Sequence, residues 1–288
     1  MQSDKQATPK ESSRESSPKK TPKTAQKAAP KKATAKSVKK AATPKKPAAK
    51  SSKSPDKIKI RFEVVYTTRF GQAIFISGEH PVLGASSTDK APALQYIDHQ
   101  KWAVELEFLK DSLQNGHIEY SYIIRYEDGN LSSSAPYQLT LPSNVAQLTV
   151  RDAWNAPGFM ENVYLTDAMQ AFNVEAPIPK TTSRKKFSHR FLISAPPLEE
   201  GQAVCLIGDN KELGGWDPAK ALPMIPAGRG QWSINVNFKG TALNGCYKYG
   251  VYDLSAKTLL QYEAGANREI TAADAPLLIL QDGFLRNN

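Results

Sequence analysis

Trp216 is the side chain whose sequence surroundings most clearly favour contact with a ligand. It follows Gly214-Gly215 and precedes Asp217-Pro218, and such a turn tends to leave a large ring exposed. An exposed indole offers a flat apolar face on which a ligand can stack. The alternative is that the ring covers a hydrophobic core as a structural lid.

Lys248 is a second candidate for ligand contact. In the predicted strand at 246–252, Tyr247 and Tyr249 share one face, so Lys248 lies on the other. A lysine on a strand is usually only a solvated charge, so its role depends on what lies beside it.

Metal and disulfide chemistry are not expected. Two cysteines are too few and too widely spaced for a zinc site or a disulfide framework, and no histidine has metal-ligand spacing. We therefore expect no metal and no cofactor. The residues concerned are His80, His99, His117, His189, Cys205 and Cys246.

The elements that must position these side chains are encoded twice. Residues 71–78 match 201–208 at an offset of 130, and the same offset relates Trp102 to Trp232. Further along the offset becomes 127, where Tyr120-Ser-Tyr122 matches Tyr247-Lys-Tyr249. A register held over 32 residues and then shifted by three indicates duplicated modules.

Both copies alternate apolar and polar residues as half-buried strands do, for example over 58–66, 102–108 and 232–238. The pattern predicts an all-β chain of two immunoglobulin-like antiparallel sandwiches, at 58–150 and 187–280. Residues 151–186, which contain several prolines, are predicted to form a linker, and 281–288 the C-terminal end.

Residues 1–57 differ sharply in composition. They carry 17 lysines and arginines against four acids, a net charge of +13 that leaves −3 on the remainder. They contain no Phe, Trp, Tyr, Leu or Ile and therefore predict a disordered basic tail.

Within this tail, Ser17-Pro-Lys-Lys20 and Thr43-Pro-Lys-Lys46 resemble segments of lysine-rich linker histones and of some bacterial nucleoid proteins. Such a tail can bind nucleic acid or another polyanion without sequence preference. The alternative is a solubilising extension, since the aromatics of a single-strand binder are absent.

Five motifs of the second copy occur in the order and spacing of a family 20 carbohydrate-binding module, a starch-binding module. They are Leu213-Gly-Gly-Trp216-Asp-Pro, Trp232, Cys-Tyr-Lys-Tyr249, Gln-Tyr-Glu263 and Ala-Asn-Arg268, and the resemblance covers residues 187–275.

The resemblance implies that Trp216 and Tyr262 stack on glucose rings while Lys248, Glu263 and Asn267 bond hydroxyls. Glucose presents a C–H face that packs on aromatic rings and hydroxyls that need fixed polar partners. The family usually has Trp where Tyr262 stands, so weaker binding is expected.

The first copy departs from this pattern: Ala85-Ser86 replaces the turn Trp, Ser121 replaces the Lys and Leu131-Ser-Ser-Ser134 replaces the second platform. We expect its first site to be inactive. The family's second site implies Phe70, Tyr96 and Trp102 instead, although Trp102 and Trp232 are equally suited to a core.

The tandem modules, with Arg151-Asp-Ala-Trp154 and Asp282-Gly-Phe-Leu-Arg286, also resemble the N-terminal part of amylomaltase-type 4-alpha-glucanotransferases. A catalytic barrel needs about 250 residues, which two sandwiches do not leave. The sequence predicts non-catalytic binding of α-1,4-glucan (starch, glycogen or maltodextrin) by the starch-binding portion of such an enzyme, truncated or standing alone. The alternatives are a fragment of the full transferase or a nucleic-acid-associated protein.

No hydrophobic stretch suggests a signal peptide or a membrane span. We therefore expect a cytoplasmic protein that has no contact with membranes.

Overall fold

The computed structural model describes residues 56–170, 179, 186–238, 245–270 and 275–286. The predicted basic tail lies outside these ranges except for its last two residues, and so does much of the predicted linker.

The described residues form 17 strands. Those of the first module are β1 (Lys57–Val65), β2 (Ala73–Ser77), β3 (Gln95–Asp98), β4 (Lys101–Leu109), β5 (His117–Arg125), β6 (Leu131–Ser133), β7 (Tyr137–Thr140) and β8 (Gln147–Ala153). Those of the second are β9 (His189–Ser194), β10 (Gln202–Gly208), β11 (Leu222–Pro223), β12 (Ile225–Gly228), β13 (Gln231–Val236), β14 (Gly245–Asp253), β15 (Thr258–Tyr262), β16 (Arg268–Ile270) and β17 (Leu278–Phe284).

Helices are short. The described residues contain one α-helix, α1 (Asp167–Gln170). They also contain six 3₁₀ turns: Pro81–Leu83, Lys110–Ser112, Gln114–Gly116, Met160–Leu165, Lys211–Leu213 and Pro218–Lys220. None of the helices that the structure describes is long and apolar enough to cross a membrane.

The prediction of two all-β sandwiches is confirmed. In the first module β2, β5, β6 and β7 form the smaller sheet, and in the second β10, β11, β14, β15 and β16 do. The opposing layer of both modules is one continuous sheet with the strand order β12-β13-β9-β17-β8-β1-β4-β3. The two sandwiches therefore share a layer, which the sequence did not predict.

The junction of the shared sheet is a parallel pairing of β8 with β17, in which Val150 lies opposite Ile279. Each of these strands also pairs parallel with the first strand of its own module. The pairing explains why β8 continues to Ala153 and takes in the first three residues of the expected linker. Backbone groups there are bonded on both sides and have no reason to leave the sheet.

Alternate side chains at the start of β17 pack into different cores. Leu277 and Ile279 are buried in the core of the first module, while Leu278 and Leu280 are buried in the core of the second. Since successive side chains on a strand point to opposite faces, the two smaller sheets cover opposite faces of the shared sheet. The first module thus needs the last strand of the second to complete its core.

Each core also holds a pair of tyrosines bonded to one aspartate of the module's last strand. Tyr120 and Tyr122 donate to Asp152 Oδ2 at 2.8 and 2.7 Å. Burial raises the pKa of the Asp152 carboxyl to about 7, although both phenols oppose that shift. Gln281 Nε2 of β17 donates to the Tyr120 hydroxyl at 3.2 Å and adds a polar contact between the modules.

Ile279→Ala tests the shared core. The substitution lies in the second module's last strand but removes buried contacts from the first module, so the whole chain should lose about 2–5 kcal/mol of unfolding free energy in one transition. Denaturant unfolding followed by circular dichroism measures the change. Leu260→Ala, at a residue that is 51% exposed, is the control and should change stability by less than about 0.5 kcal/mol. Separate transitions for the two modules would contradict the shared core.

Candidate functional site

Trp216 lies at a corner of three consecutive left-handed residues. Gly214, Gly215 and Trp216 have φ of 89°, 62° and 60°, and the Trp216 amide donates to the Gly208 carbonyl at 2.8 Å. A positive φ is uncommon for a bulky residue and costs about 1–3 kcal/mol. The ring is half-buried and packs against a small cluster that includes Ala221 and Tyr252. The two interpretations of Trp216, a structural lid and an exposed stacking ring, are therefore compatible. Part of the indole packs on the core, and part remains accessible.

The first module has the same corner without the aromatic ring. Gly84, Ala85 and Ser86 have φ of 86°, 50° and 62°, and the Ser86 amide donates to the Gly78 carbonyl at 2.7 Å. Ser86 is thus the positional equivalent of Trp216. The first module presents a hydroxymethyl group where the second presents an indole.

Tyr262 ends strand β15 and is 37% exposed. It lies opposite Gly250 of β14, and the 3₁₀ turn Pro218–Lys220, directly after Trp216, contacts β15. The fold therefore brings the Trp216 corner beside the strand that carries Tyr262.

Lys248 extends from β14 to the loop that follows Tyr262. Its ammonium donates to the carbonyl of Glu263 at 3.1 Å and to that of Gly265 at 2.6 Å. An ammonium carries three protons, so one remains for an external acceptor. Asn267 is exposed two residues beyond Gly265 and just before β16. Lys248 therefore shapes the loop and keeps a donor at its surface.

Glu263 differs from the expectation that it bonds sugar hydroxyls. The residue is 3% exposed, and its carboxylate accepts from the Tyr249 amide at 3.1 Å and from Arg268 at 2.7 and 2.8 Å. Arg286 also donates to it, at 3.1 and 3.2 Å. These donors outweigh burial and lower the pKa of Glu263 to about 2. Its function in this arrangement is to hold the loop between Tyr262 and Asn267.

The three rings predicted for the second site of the family differ in exposure: two are exposed and one is buried. Phe70 is fully exposed beside Gly71, and Tyr96 is 57% exposed on β3, the outer strand of the shared sheet. Trp102 packs in the core of the first module with 9% of its surface exposed, edge-on to Tyr96 at 5.5 Å between ring centroids. Trp102 therefore supports Tyr96 from below and can offer a ligand at most the edge of its ring. Trp232 is likewise a core residue.

No group of three or more metal-ligating side chains lies in the part of the chain that the structure describes. Both cysteines are free thiols, and Cys205 is fully buried.

The residues that the sequence interpretation missed are those that organise the loop and the cores. Arg268 and Arg286 clamp Glu263, and Asp282 Oδ2 accepts from Tyr247 and Tyr249 at 2.7 and 2.6 Å. A signal existed for the last group, because Asp152 and Asp282 are again 130 residues apart. Extending the repeat past the tyrosines would have revealed it.

The starch binding domain family matches residues 57–150 and 187–276. A 4-alpha-glucanotransferase of Oryza sativa subsp. japonica is 25% identical over 266 residues, which are 82% of this chain and 27% of that protein. An alpha-amylase of Streptomyces violaceus is 36% identical over 85 residues, 29% of this chain and 14% of the amylase. The chain thus spans about a quarter or less of the length of these relatives.

Solved structures similar to this chain include the family 20 CBM of a maltotetraose-forming amylase from Pseudomonas saccharophila. It is 21% identical with a TM-score of 0.30, over 33% of this chain and 97% of that one. A family 15 glucoamylase from Hypocrea jecorina is 25% identical with a TM-score of 0.33, over 36% and 18% of the two chains.

Glu263→Gln tests the assignment of this carboxylate to the loop. Because its pKa is depressed from 4.5 to about 2, the charge stabilises the fold fully above pH 4.5, and that contribution is lost as pH falls towards 2. The variant should lose about 3–5 kcal/mol at pH 7 and should lack this component of acid sensitivity. Chemical unfolding at pH 7 and pH 3 measures both effects. Glu269→Gln, at an exposed neighbouring site, is the control, and equal stability of the two variants would contradict the assignment.

Proposed function

Because the chain belongs to the starch binding domain family through both of its modules, we propose that it binds α-1,4-glucan, as starch, glycogen or maltodextrin, without cleaving it. The observation that carries the proposal is the left-handed corner that holds Trp216 beside the strand bearing Tyr262. Two accessible rings next to a lysine with a free donor fit a chain of glucose units.

Binding at this site combines stacking with a few directed bonds. The accessible parts of Trp216 and Tyr262 pack on the C–H faces of glucose residues, and apolar contact there needs no charge on the ligand. The remaining proton of Lys248 and the amide of Asn267 bond hydroxyls. Glu263 keeps the loop in place and does not itself touch the sugar.

The first module contributes a weaker, secondary site in this proposal. Phe70 and Tyr96 supply its rings, and Trp102 backs Tyr96. Both modules belong to one compact unit, so the two sites are held at a fixed separation. A long glucan that reaches both would gain about 10²- to 10⁴-fold in apparent affinity over one site, whereas a short maltodextrin would gain nothing.

The similarity to the rice 4-alpha-glucanotransferase extends the proposal to the whole protein. We infer that the two modules are the starch-binding portion of such a transferase and that they hold polymer near a separate catalytic domain. The domain layout proposed is a basic tail at 1–57, sandwiches at 58–150 and 187–280, and a linker between them. A full transferase as the natural product is the enzyme alternative, and reading the coding sequence beyond Asn288 tests it.

The tail and the location complete the proposal. The net charge of +13 on residues 1–57 favours contact with nucleic acid or another polyanion. Two unpaired thiols fit a reducing compartment, in support of a cytoplasmic protein.

Trp216→Ala and Tyr262→Ala test the binding site. Each removes a ring and should weaken binding by about 1–3 kcal/mol, the scale of stacking losses on aromatic platforms in another polymer system. Affinity electrophoresis in gels containing glycogen or amylopectin measures the change. Gln261→Ala is the control, because this exposed side chain lies next to Tyr262 but points to the opposite face of β15. Unchanged retardation of folded Trp216→Ala protein would remove this residue from the site.

Deletion of residues 1–57 separates the glucan function from any polyanion function. Glycogen binding should be unchanged, because the residues of both proposed glucan sites lie between 70 and 267. Nucleic-acid binding, measured by filter retention at several salt concentrations, should fall and lose its steep salt dependence. Loss of glycogen binding on deletion would contradict the assignment of the site to the second module.

A further inference from the structure

A pocket of about 410 Å³ opens where the two modules meet. Its walls come from β7 and the segment after β8 on one side, and from β9, β13 and the end of β17 on the other. Small-molecule sites commonly have volumes of about 300–1,000 Å³ and lie at such junctions. None of the predicted site residues lines this pocket, so it is distinct from the site already described.

The lining has the chemistry of a site for a neutral, hydroxyl-rich ligand. Phe284 contributes apolar ring surface, and Gln138 and Gln231 contribute carboxamides, which both donate and accept. Tyr137, which is 8% exposed, contributes at most the edge of its ring. The two charged residues, Arg229 and Asp282, are of opposite sign. A phosphate or a cation would be repelled by one of them, whereas a sugar can bond both.

Asp282 and Arg229 both have bonding capacity to spare. The two tyrosines of the second core bond Asp282 Oδ2, and no donor among the described residues reaches Oδ1. In the first module the equivalent oxygen, Asp152 Oδ1, is buried and has no hydrogen-bond partner among the residues that the structure describes. Asp282 differs because it borders an open pocket. Arg229 is exposed and forms no ion pair with any carboxylate that the structure describes.

The backbone of Arg229 has a positive φ, which is unfavourable for a residue other than glycine. It lies between Gly228 and Gly230 in the turn from β12 to β13, and all three have positive φ, 89°, 47° and 70°. The two flanking glycines adopt positive φ at little cost in free energy. The turn does not require a long charged side chain at its centre. Glycine is therefore suited to this position, and the Arg229 side chain borders the pocket without being needed for the turn.

We propose that this pocket, the junction pocket, is a third saccharide site that takes one or two glucose units of an α-glucan. The identity of the sugar rests on the proposed function, and the site itself rests on the lining. Phe284 packs on the sugar, while Arg229, Gln231 and Asp282 bond its hydroxyls. Because β8 and β17 are hydrogen-bonded to each other, both walls are fixed before the ligand arrives.

Maltose titration of the ¹⁵N-labelled full chain, followed by amide correlation spectra, tests the proposal. Two sets of amides are followed: those of Ser194, Gln231 and Gly283 at the junction pocket, and those around Trp216 and Tyr262. Both sets should shift, each with its own affinity.

Arg229→Gly is the test variant, because it removes the guanidinium and suits the left-handed backbone. It should weaken the titration of the junction set by about tenfold or more, the effect of losing a hydrogen bond from a charged donor, and leave the Trp216 set unchanged. Lys257→Gly is the matched control: it removes a positive charge at φ 54° in another turn and should alter neither set. Gln231→Ala should also weaken only the junction set.

The outcomes separate this proposal from the proposed function. Shifts confined to the Trp216 set would overturn the junction pocket while the glucan function stands. Shifts confined to the junction set would support the pocket while the predicted Trp216 site fails. An unchanged junction titration in Arg229→Gly would remove that residue from a site and overturn the lining argued here. No shift in either set at high maltose would overturn both.

Discussion

The parallel hydrogen bonding of β8 to β17 is the constraint on which the rest of the molecule depends. It converts two sandwich layers into one eight-stranded sheet and turns the last strand of the second module into a wall of both cores. An edge strand exposes unpaired backbone groups that must be covered or paired. Here each module covers the other's edge, so the joint that builds the sheet also removes a site of aggregation.

The polar groups near this joint follow from the same geometry. Each last strand carries an aspartate that bonds a pair of tyrosines, and in the first module β17 adds Gln281, which donates to Tyr120. A buried carboxylate needs hydrogen-bond donors. Here two tyrosine hydroxyls supply them to each aspartate, near the end of a strand where the core meets the surface. The Glu263 loop is tied to the same joint, because Arg268, which clamps Glu263, also donates to the carbonyls of Asp282 and Phe284 of β17 at 2.8 and 3.1 Å.

Much of the fold was predictable because the repeat and the alternation are local. The strand pairing across modules was not, since alternation within a strand says nothing about which edge it meets. One signal was present: Leu277-Leu-Ile-Leu280 is a continuous apolar run, as expected of a strand buried on both faces. At the site, the turn around Trp216 and the face of Lys248 were readable from sequence. The burial of Glu263 was not readable, because its three partners converge only in space, and that of Trp102 was left open, because period two cannot distinguish a core ring from a platform.

The paired corners at Trp216 and Ser86 show that this backbone shape does not depend on the side chain it presents. Both have the same run of positive φ and the same amide-to-carbonyl bond closing it. The corner therefore accepts different side chains, and what both copies share is the leading glycine, Gly84 or Gly214, and the closing bond. The side chain presented to a ligand at that position can therefore change by one substitution without a compensating change elsewhere. The first module carries the same corner without an aromatic ring.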